Sequence, residues 1–240
     1  MKHILGHIRR AVEDYNMIED GDKIAVALSG GKDSITLLHG LKTLQRFYPK
    51  HFDIIAISIN PGFDFFDETF LYNTCKAIDV PLFIEKYNIK SIVFNDRKEK
   101  NPCSLCANLR RGILNTTAKR EGCNKLALGH NLDDVLETFL MNFLYAGSLN
   151  TFAPINYMSR SGLTVIRPLI YLSEKETKKY VKRTNTPVMP KVCPMDGNST
   201  REDMKNLIDS LGLKLPYIRS NMIGAIERAN INGWKNNTNK

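Results

Sequence analysis

The sequence predicts an α/β fold: a parallel sheet with helices on both faces and small helical additions at the N- and C-terminal ends. Short apolar runs alternate with amphipathic helical stretches through most of the chain, which is the pattern of βα units. The first run, residues 23–28, ends in Ser29-Gly30-Gly31 and passes straight into a helical pattern with Leu37, Leu38, Leu41 and Leu44 on one side. No repeat period, low-complexity tract or apolar run near the roughly 20 residues of a membrane helix breaks the alternation.

The elements follow in order. A strand is expected at 54–59, a helix at 65–78, a strand at 81–85, a helix at 104–120, a strand at 126–128 and a helix at 132–144. A later strand at 163–166 leads to Ser173-x-x-Glu176, a capping box that opens a charged helix running through Arg183. Ser199-x-x-Glu202 is a second such start, and the Asn- and Lys-rich tail from Asn230 onward is expected to fray. The organisation expected is an N-terminal helix at 1–20, a catalytic nucleotide-binding domain at 21–190 that includes the cysteine helix, and a C-terminal helical extension at 191–240.

At 240 residues the chain can bury one substantial core. Its first ten residues interleave His and Arg with Ile and Leu and lack the apolar centre of a signal peptide, so a soluble cytoplasmic protein is expected, with no membrane partner. A formal charge of +9, from 34 Lys and Arg against 25 Asp and Glu, suits a polyanionic partner such as nucleic acid, or serves solubility alone. Five cysteines, an odd number, argue against a disulfide framework. Cys75 and Cys123 read as structural.

Ser29-Gly30-Gly31-Lys32-Asp33-Ser34 stands where a strand feeds a helix. Backbone amides there point outward beside a positive helix end, and paired glycines let phosphate oxygens approach the main chain. The loop is not a Walker A motif, which would need Gly at Val26 and Ser or Thr at Asp33. It matches SGGxDS instead, and so resembles the signature loop of enzymes that release pyrophosphate from ATP. Lys32 is expected to neutralise phosphates, Ser29 and Ser34 to donate hydrogen bonds, and Asp33 to hold Mg2+ or cap the helix.

Gly129-His130-Asn131-Leu132-Asp133-Asp134 opens another helix after another strand, at the edge where open parallel sheets bind ligands. Its two carboxylates favour the helix dipole or, with a phosphate loop on the same edge, take a Mg2+ or catalytic role; the second is expected, with Asp134 first. Pro102-Cys103-Ser104-Leu105-Cys106 puts a CxxC at the mouth of a basic helix. A redox pair is one reading. Zinc would want a fourth ligand, and Cys103, Cys106 and Cys193 together suit an iron–sulfur cluster with one iron left open.

SGGKDS, PCSLCxxLRRG, ALGHNLDD and a late Cys-Pro, in that order between about Lys23 and Arg201, resemble the tRNA 2-thiolation branch of the PP-loop ATP pyrophosphatase superfamily, and most of all the TtcA-like 2-thiocytidine synthetases. The resemblance implies a Rossmann-like, adenine nucleotide alpha hydrolase-like sheet. It implies a [4Fe–4S] cluster on Cys103, Cys106 and Cys193 that receives sulfide, and ATP with Mg2+ adenylating the base carbonyl to be replaced. It places Lys32, the loop backbone, Gly129, Asp133 and Asp134 on ATP, main chain at Ser58 and Ile59 on adenine, and a functional basic residue at Arg110. Its partners would be tRNA, ATP and a sulfur donor, either sulfide or a persulfide carrier, and a homodimer is compatible with it.

The related 2-thiouridine enzymes carry zinc-finger cysteine pairs that this chain lacks, which favours cytidine. TtcA-like proteins usually show a second CxxC where this chain has Cys193 alone, which keeps uridine as the alternative. A lysidine-synthetase-like ligase would use ATP identically but leaves the cysteines unexplained. A non-catalytic nucleotide and iron–sulfur sensor is the remaining reading.

Overall fold

The computed structural model describes residues 1–96, 102–190 and 200–235. Its strands are β1 (Asp22–Ala27), β2 (Phe52–Asn60), β3 (Leu82–Lys86), β4 (Lys125–Ala127), β5 (Ile155–Met158) and β6 (Leu163–Ile166). Its helices are α1 (Lys2–Asp14), α2 (Lys32–Leu44), α3 (Glu68–Lys76), α4 (Pro102–Arg120), α5 (Leu132–Ala146), α6 (Glu174–Arg183), α7 (Thr200–Lys214) and α8 (Ile218–Arg228). A π-helical turn spans Ser91–Asp96.

The strands form one sheet in the order β3-β2-β1-β4-β6-β5. β1 pairs in parallel with β2 and β4, β2 with β3, and β4 with β6. The parallel sheet expected from sequence carries one strand that was not expected, the antiparallel edge strand β5, which pairs Ile155 with Ile166 and Met158 with Leu163. Four residues with Asn156 and Tyr157 exposed carry no apolar run, so nothing local announces a strand. A tight turn supplies the hairpin: Gly162, at φ +67, donates its amide to the Met158 carbonyl at 2.8 Å.

Side chains alternate across β1. Ile24 and Val26 join the larger core with Ile4 and Ile8 of α1, Leu37 and Leu41 of α2, Leu136 of α5, Ile208 of α7 and Ile226 of α8. Residues of all three expected segments meet in that cluster. Ala25 turns the other way, with Ile55, Ile57, Leu126 and Val165, and there Ala118 and Leu114 of α4 cover the sheet. Buried Lys125 on β4 reaches Asp22 on β1 at 2.8 Å and the Met17 carbonyl at 2.8 Å. Asp22 also accepts from Glu19 N and Asn124 Nδ2, so the buried pair is satisfied.

Local chemistry sets the helix starts. Asp67 caps α3 by accepting from Phe70 N at 2.8 Å, which moves its start past the expected position 65, where Phe65 sits at φ +71. Pro102 stands in the first turn of α4, where its missing N–H costs nothing. Ser173 and Glu176 form the expected capping box of α6. Ser199 of the second expected box lies outside the described residues, and α7 begins at Thr200. Among the described residues no helix is long and apolar enough to cross a membrane.

The expected frayed tail is corrected as far as Lys235. Trp234 is fully buried, its indole N–H donates to the Phe152 carbonyl at 3.1 Å, and its ring meets Tyr15 edge-on at 6.0 Å. One aromatic side chain buries enough apolar surface to dock a segment that is otherwise Asn and Lys. Trp234→Ala should therefore lower the unfolding free energy by about 3–5 kcal/mol, as for other large-to-small changes at buried aromatics. A urea titration that finds a loss under about 1 kcal/mol would show that the tail is not part of the core.

Candidate active site

The order in which strands are added reverses at β1. From β1 the chain moves outward through β2 to β3, then crosses to the far side of β1 at β4, goes out to the edge at β5 and returns to β6. Right-handed crossovers in opposite directions must use opposite faces, and α2 and α4 do so. The switch point therefore lies at the C-terminal ends of β1 and β4, the place where open α/β sheets bind ligands. The loops after β1, β2, β3, β4 and β6 all reach this edge.

The loop after β1 is internally tied. Ser34 Oγ donates to the Gly31 carbonyl at 2.9 Å and accepts from Ser29 N at 3.2 Å and Ser29 Oγ at 3.1 Å. Gly31 is the N-cap of α2, and glycine has no side chain to occupy the first-turn amides. Gly30 needs its glycine twice: its φ is +79, and a Cβ there would stand 2.4 Å from Met189 Sδ. Met189 N also donates to the Gly30 carbonyl at 2.9 Å, so the segment after α6 folds back onto the loop. A Cβ on Gly129 would lie 3.2 Å from Ser34 N, so the loop after β4 packs directly on the first turn of α2.

Lys32 Nζ sits between Asp33 Oδ2 at 2.8 Å and Glu174 Oε1 at 3.0 Å. Burial by itself would lower its pKa; Asp33 and Glu174 outweigh that and hold the ammonium above its usual range. Asp33 Oδ1 accepts from Thr177 Oγ1 at 2.6 Å, so Asp33 makes contact with α6. Burial pushes Glu174 up, but Lys205, Lys32 and Lys178 override it and keep the carboxylate at about 2.

The two carboxylates after β4 have different partners. Asp134 closes a capping box with Asn131 at 2.9 and 3.2 Å, and its Oδ1 accepts from Arg201 on α7 at 2.9 Å. Asp133 accepts from Glu174 N at 2.6 Å and from Arg219 Nε on α8 at 2.9 Å, so it ties α5 to α6 and α8. One turn on, Glu137 is buried 3.8 Å from Arg201. Burial, reinforced by Asp134 and Asp133, pushes it up to about 7 against the pull of Arg201. His130 stacks near Phe152 and faces Arg167 Nε at 3.3 Å. Burial first, then Arg167, Arg201 and Arg111, hold it neutral with a pKa of about 3.

Cys103 and Cys106 lie one turn apart at the start of α4, the first exposed and the second half-buried. Together with Phe63, Ile89, Phe94 and Arg110 they line a cavity of about 220 Å3. Ile59 at the end of β2 packs with Ile89 and Val93 against this helix start, next to Leu105 and Cys106. Ser58, its neighbour, is buried, and its Oγ has no hydrogen-bond partner among the described residues. Cys193 lies outside the described residues. Cys75 and Cys123 are far from this chemistry: both are buried, and burial pushes each thiol up to about 11.

Glu174, Thr177, Met189 and Arg201 meet the expected site residues but were not read from sequence. Ser173-x-x-Glu176 flagged only a helix start, and nothing local says that the helix delivers Glu174 to Lys32. Arg167 likewise gives no signal on its own.

The chain matches the PP-loop domain family over residues 3–190. It is 38% identical over 226 residues to the tRNA-cytidine(32) 2-sulfurtransferase of Geotalea uraniireducens, covering 93% of this chain and 90% of that protein. It is 39% identical over 220 residues to the protein of the same name from Syntrophotalea carbinolica, covering 90% of this chain and 85% of that protein. Among solved structures, the U34-tRNA thiolase NcsA from Methanococcus maripaludis, determined with its [4Fe–4S] cluster, shares the fold with a TM-score of 0.76. That likeness is at 24% identity and covers 94% of this chain and 78% of that one.

The raised Glu137 carboxyl gives a pH signature. In the folded protein it keeps its proton up to about 7, whereas in the unfolded chain it releases it near 4.5, so its contribution to stability falls as pH rises through that window. The neutral His130 acts in the opposite sense below its usual range, but it is common to wild type and a Glu137→Gln variant and cancels in their difference. Urea unfolding of both proteins from pH 4 to 8 should show wild type losing ground to the variant between about pH 4.5 and 7. A difference independent of pH would refute the protonated Glu137.

Proposed function

The chain belongs to the PP-loop family, in its tRNA-cytidine(32) 2-sulfurtransferase branch, and on that premise we propose that it thiolates tRNA with consumption of ATP. The base is cytidine 32, which becomes 2-thiocytidine. The C2 carbonyl oxygen attacks the α phosphorus of ATP, the bond from that phosphorus to the bridging oxygen breaks, and pyrophosphate leaves. Sulfide then attacks C2, and AMP departs with the former carbonyl oxygen. The sulfur comes from sulfide, or from a persulfide carrier whose outer sulfur is released as sulfide when a thiol reductant supplies two electrons.

Placement carries this reading: the phosphate loop, the Gly129–Asp134 turn and the cysteine cavity stand together on the C-terminal edge of one sheet. Gly30 and Gly31 amides with the Ser29 and Ser34 hydroxyls hold the phosphates, and Lys32 offsets the charge of the departing pyrophosphate. Asp33 and Asp134 position Mg2+ on those phosphates, and Asp133 holds the surrounding helices in place. Main chain at Ser58 and Ile59 receives the adenine, with the unpartnered Ser58 Oγ available as a donor. Arg110 steers the extruded base into the cavity, and exposed Arg111 and Lys119 on the same helix take tRNA phosphates.

Two thiols at one helix start, walled by Phe63, Ile89 and Phe94 beside Arg110, fit a cluster ligand set completed by Cys193. When bound there, a [4Fe–4S] cluster would supply an open iron with affinity for sulfide. Phe63, Ile89 and Phe94 put apolar walls beside those two thiols.

With ATP, Mg2+, sulfide and unmodified tRNA, the reconstituted enzyme should form AMP and 2-thiocytidine, and Lys32→Ala should lower the rate by at least about a hundredfold. ADP and phosphate as products would end the assignment. Anaerobically purified protein should be brown, with about four irons per chain. Cys103→Ser or Cys106→Ser should abolish both colour and thiolation, whereas Cys75→Ser and Cys123→Ser should retain them. A colourless, zinc-loaded and fully active protein would overturn the cluster.

A further inference from the structure

His3 and His7 lie four residues apart on α1, so both imidazoles leave one face of that helix a turn apart. Their rings meet edge to face with centroids 4.6 Å apart. The first turn of α6 brings Glu176 against them: its Oε1 is hydrogen-bonded to His3 Nε2 and lies 3.9 Å from His7 Nε2. One ligand atom from each residue falls within 4.8 Å of the other two. Among the described residues no other trio of His, Cys, Asp or Glu converges in this way.

Glu176 is fixed for this task. Its second oxygen, Oε2, accepts from Ser173 N and Ser173 Oγ, both at 2.7 Å, so the capping box orients the carboxylate and leaves Oε1 facing the imidazoles. His3 is 63% exposed, which leaves room for water as a further ligand.

We propose that His3, His7 and Glu176 form a divalent metal site that clamps α1 to α6. Two imidazoles and one carboxylate suit a borderline ion such as Zn2+ or Co2+, not Mg2+ or Ca2+, which prefer all-oxygen shells. The site lies outside the cysteine cavity and the ATP crevice, and the proposal does not rest on the thiolation reading. It touches that crevice through a single helical turn. Glu176 stands between Glu174, which pairs with Lys32 at 3.0 Å, and Thr177, which donates to Asp33 at 2.6 Å. A metal on Glu176 therefore fixes the turn that braces the phosphate loop.

The test uses the untagged full chain with Cys103, Cys106 and Cys193 replaced by Ser, so that thiolates do not compete. After chelator treatment it is titrated with Zn2+ alone by calorimetry, and with Co2+ by absorption. About one ion per chain should bind, Co2+ should show d–d bands without a thiolate charge-transfer band, and Zn2+ should raise the thermal midpoint. His3→Ala, at an exposed position, and His7→Ala should each weaken binding at least about tenfold, and Ser173→Ala about tenfold through loss of carboxylate orientation. The cluster-loaded native chain, its thiolates already occupied, should give the same stoichiometry. Absence of binding, or equal affinity in wild type and His3→Ala, would overturn the site.

Discussion

The reversal of strand order at β1 is the constraint on which the rest of the molecule depends. Because β1 is flanked by β2 and β4 in parallel, its C-terminal end is the one place where loops from both halves of the sheet converge. Backbone pairing alone would leave the relative height of β1 and β4 loosely set. The buried Lys125–Asp22 pair, closed by Met17, Glu19 and Asn124, adds directional contacts at the opposite end of the same two strands. Its consequence is felt at the other end, where Gly129 packs within van der Waals distance of the first turn of α2.

That close packing turns a flexible glycine loop into a fixed one. Ser29, Gly31 and Ser34 tie the loop internally, the loop after β4 supports it from one side, and Met189 holds Gly30 from the other. Preorganised amides stabilise developing charge best when they need not rearrange as it forms, and here three separate stretches of chain hold them. The same segments carry the charges. Glu174 gathers Lys32, Lys178 and Lys205, which concentrates three ammonium groups beside the Ser29–Ser34 loop around one carboxylate.

Cationic side chains then define the rest of the crevice. Arg201 is bound to Asp134, Arg167 faces the neutral His130, and the positive charge of Arg111 on the cysteine helix is felt at His130 and Arg167. Burial without compensation would be costly for these groups, and each carboxylate there has a specific partner. Glu137 is the exception: burial first, then the negative charges of Asp134 and Asp133, push its pKa up to about 7 against Arg201 and Lys205. The cysteine cavity borders this basic region and is apolar on its walls, so charged and greasy surfaces lie side by side.

The sequence by itself determined the α/β class, the strand–turn–helix around Ser29–Ser34, the second turn at Gly129–Asp134, the cysteine helix and the cap at Ser173. All of these rest on spacing and turn chemistry within a dozen residues, which is the range over which hydrogen bonding and steric preference act through the chain. Only the tertiary structure decided that β5 is an antiparallel edge, that Trp234 is docked beneath Tyr15, and that α6 delivers Glu174 to Lys32. It also decided that Asp133 and Asp134 answer to Arg219 and Arg201, and that His3 and His7 meet Glu176. Partners so distant along the chain are chosen by how the helices pack on the sheet. Packing sums many weak contacts over the whole core, and no short stretch of sequence records it.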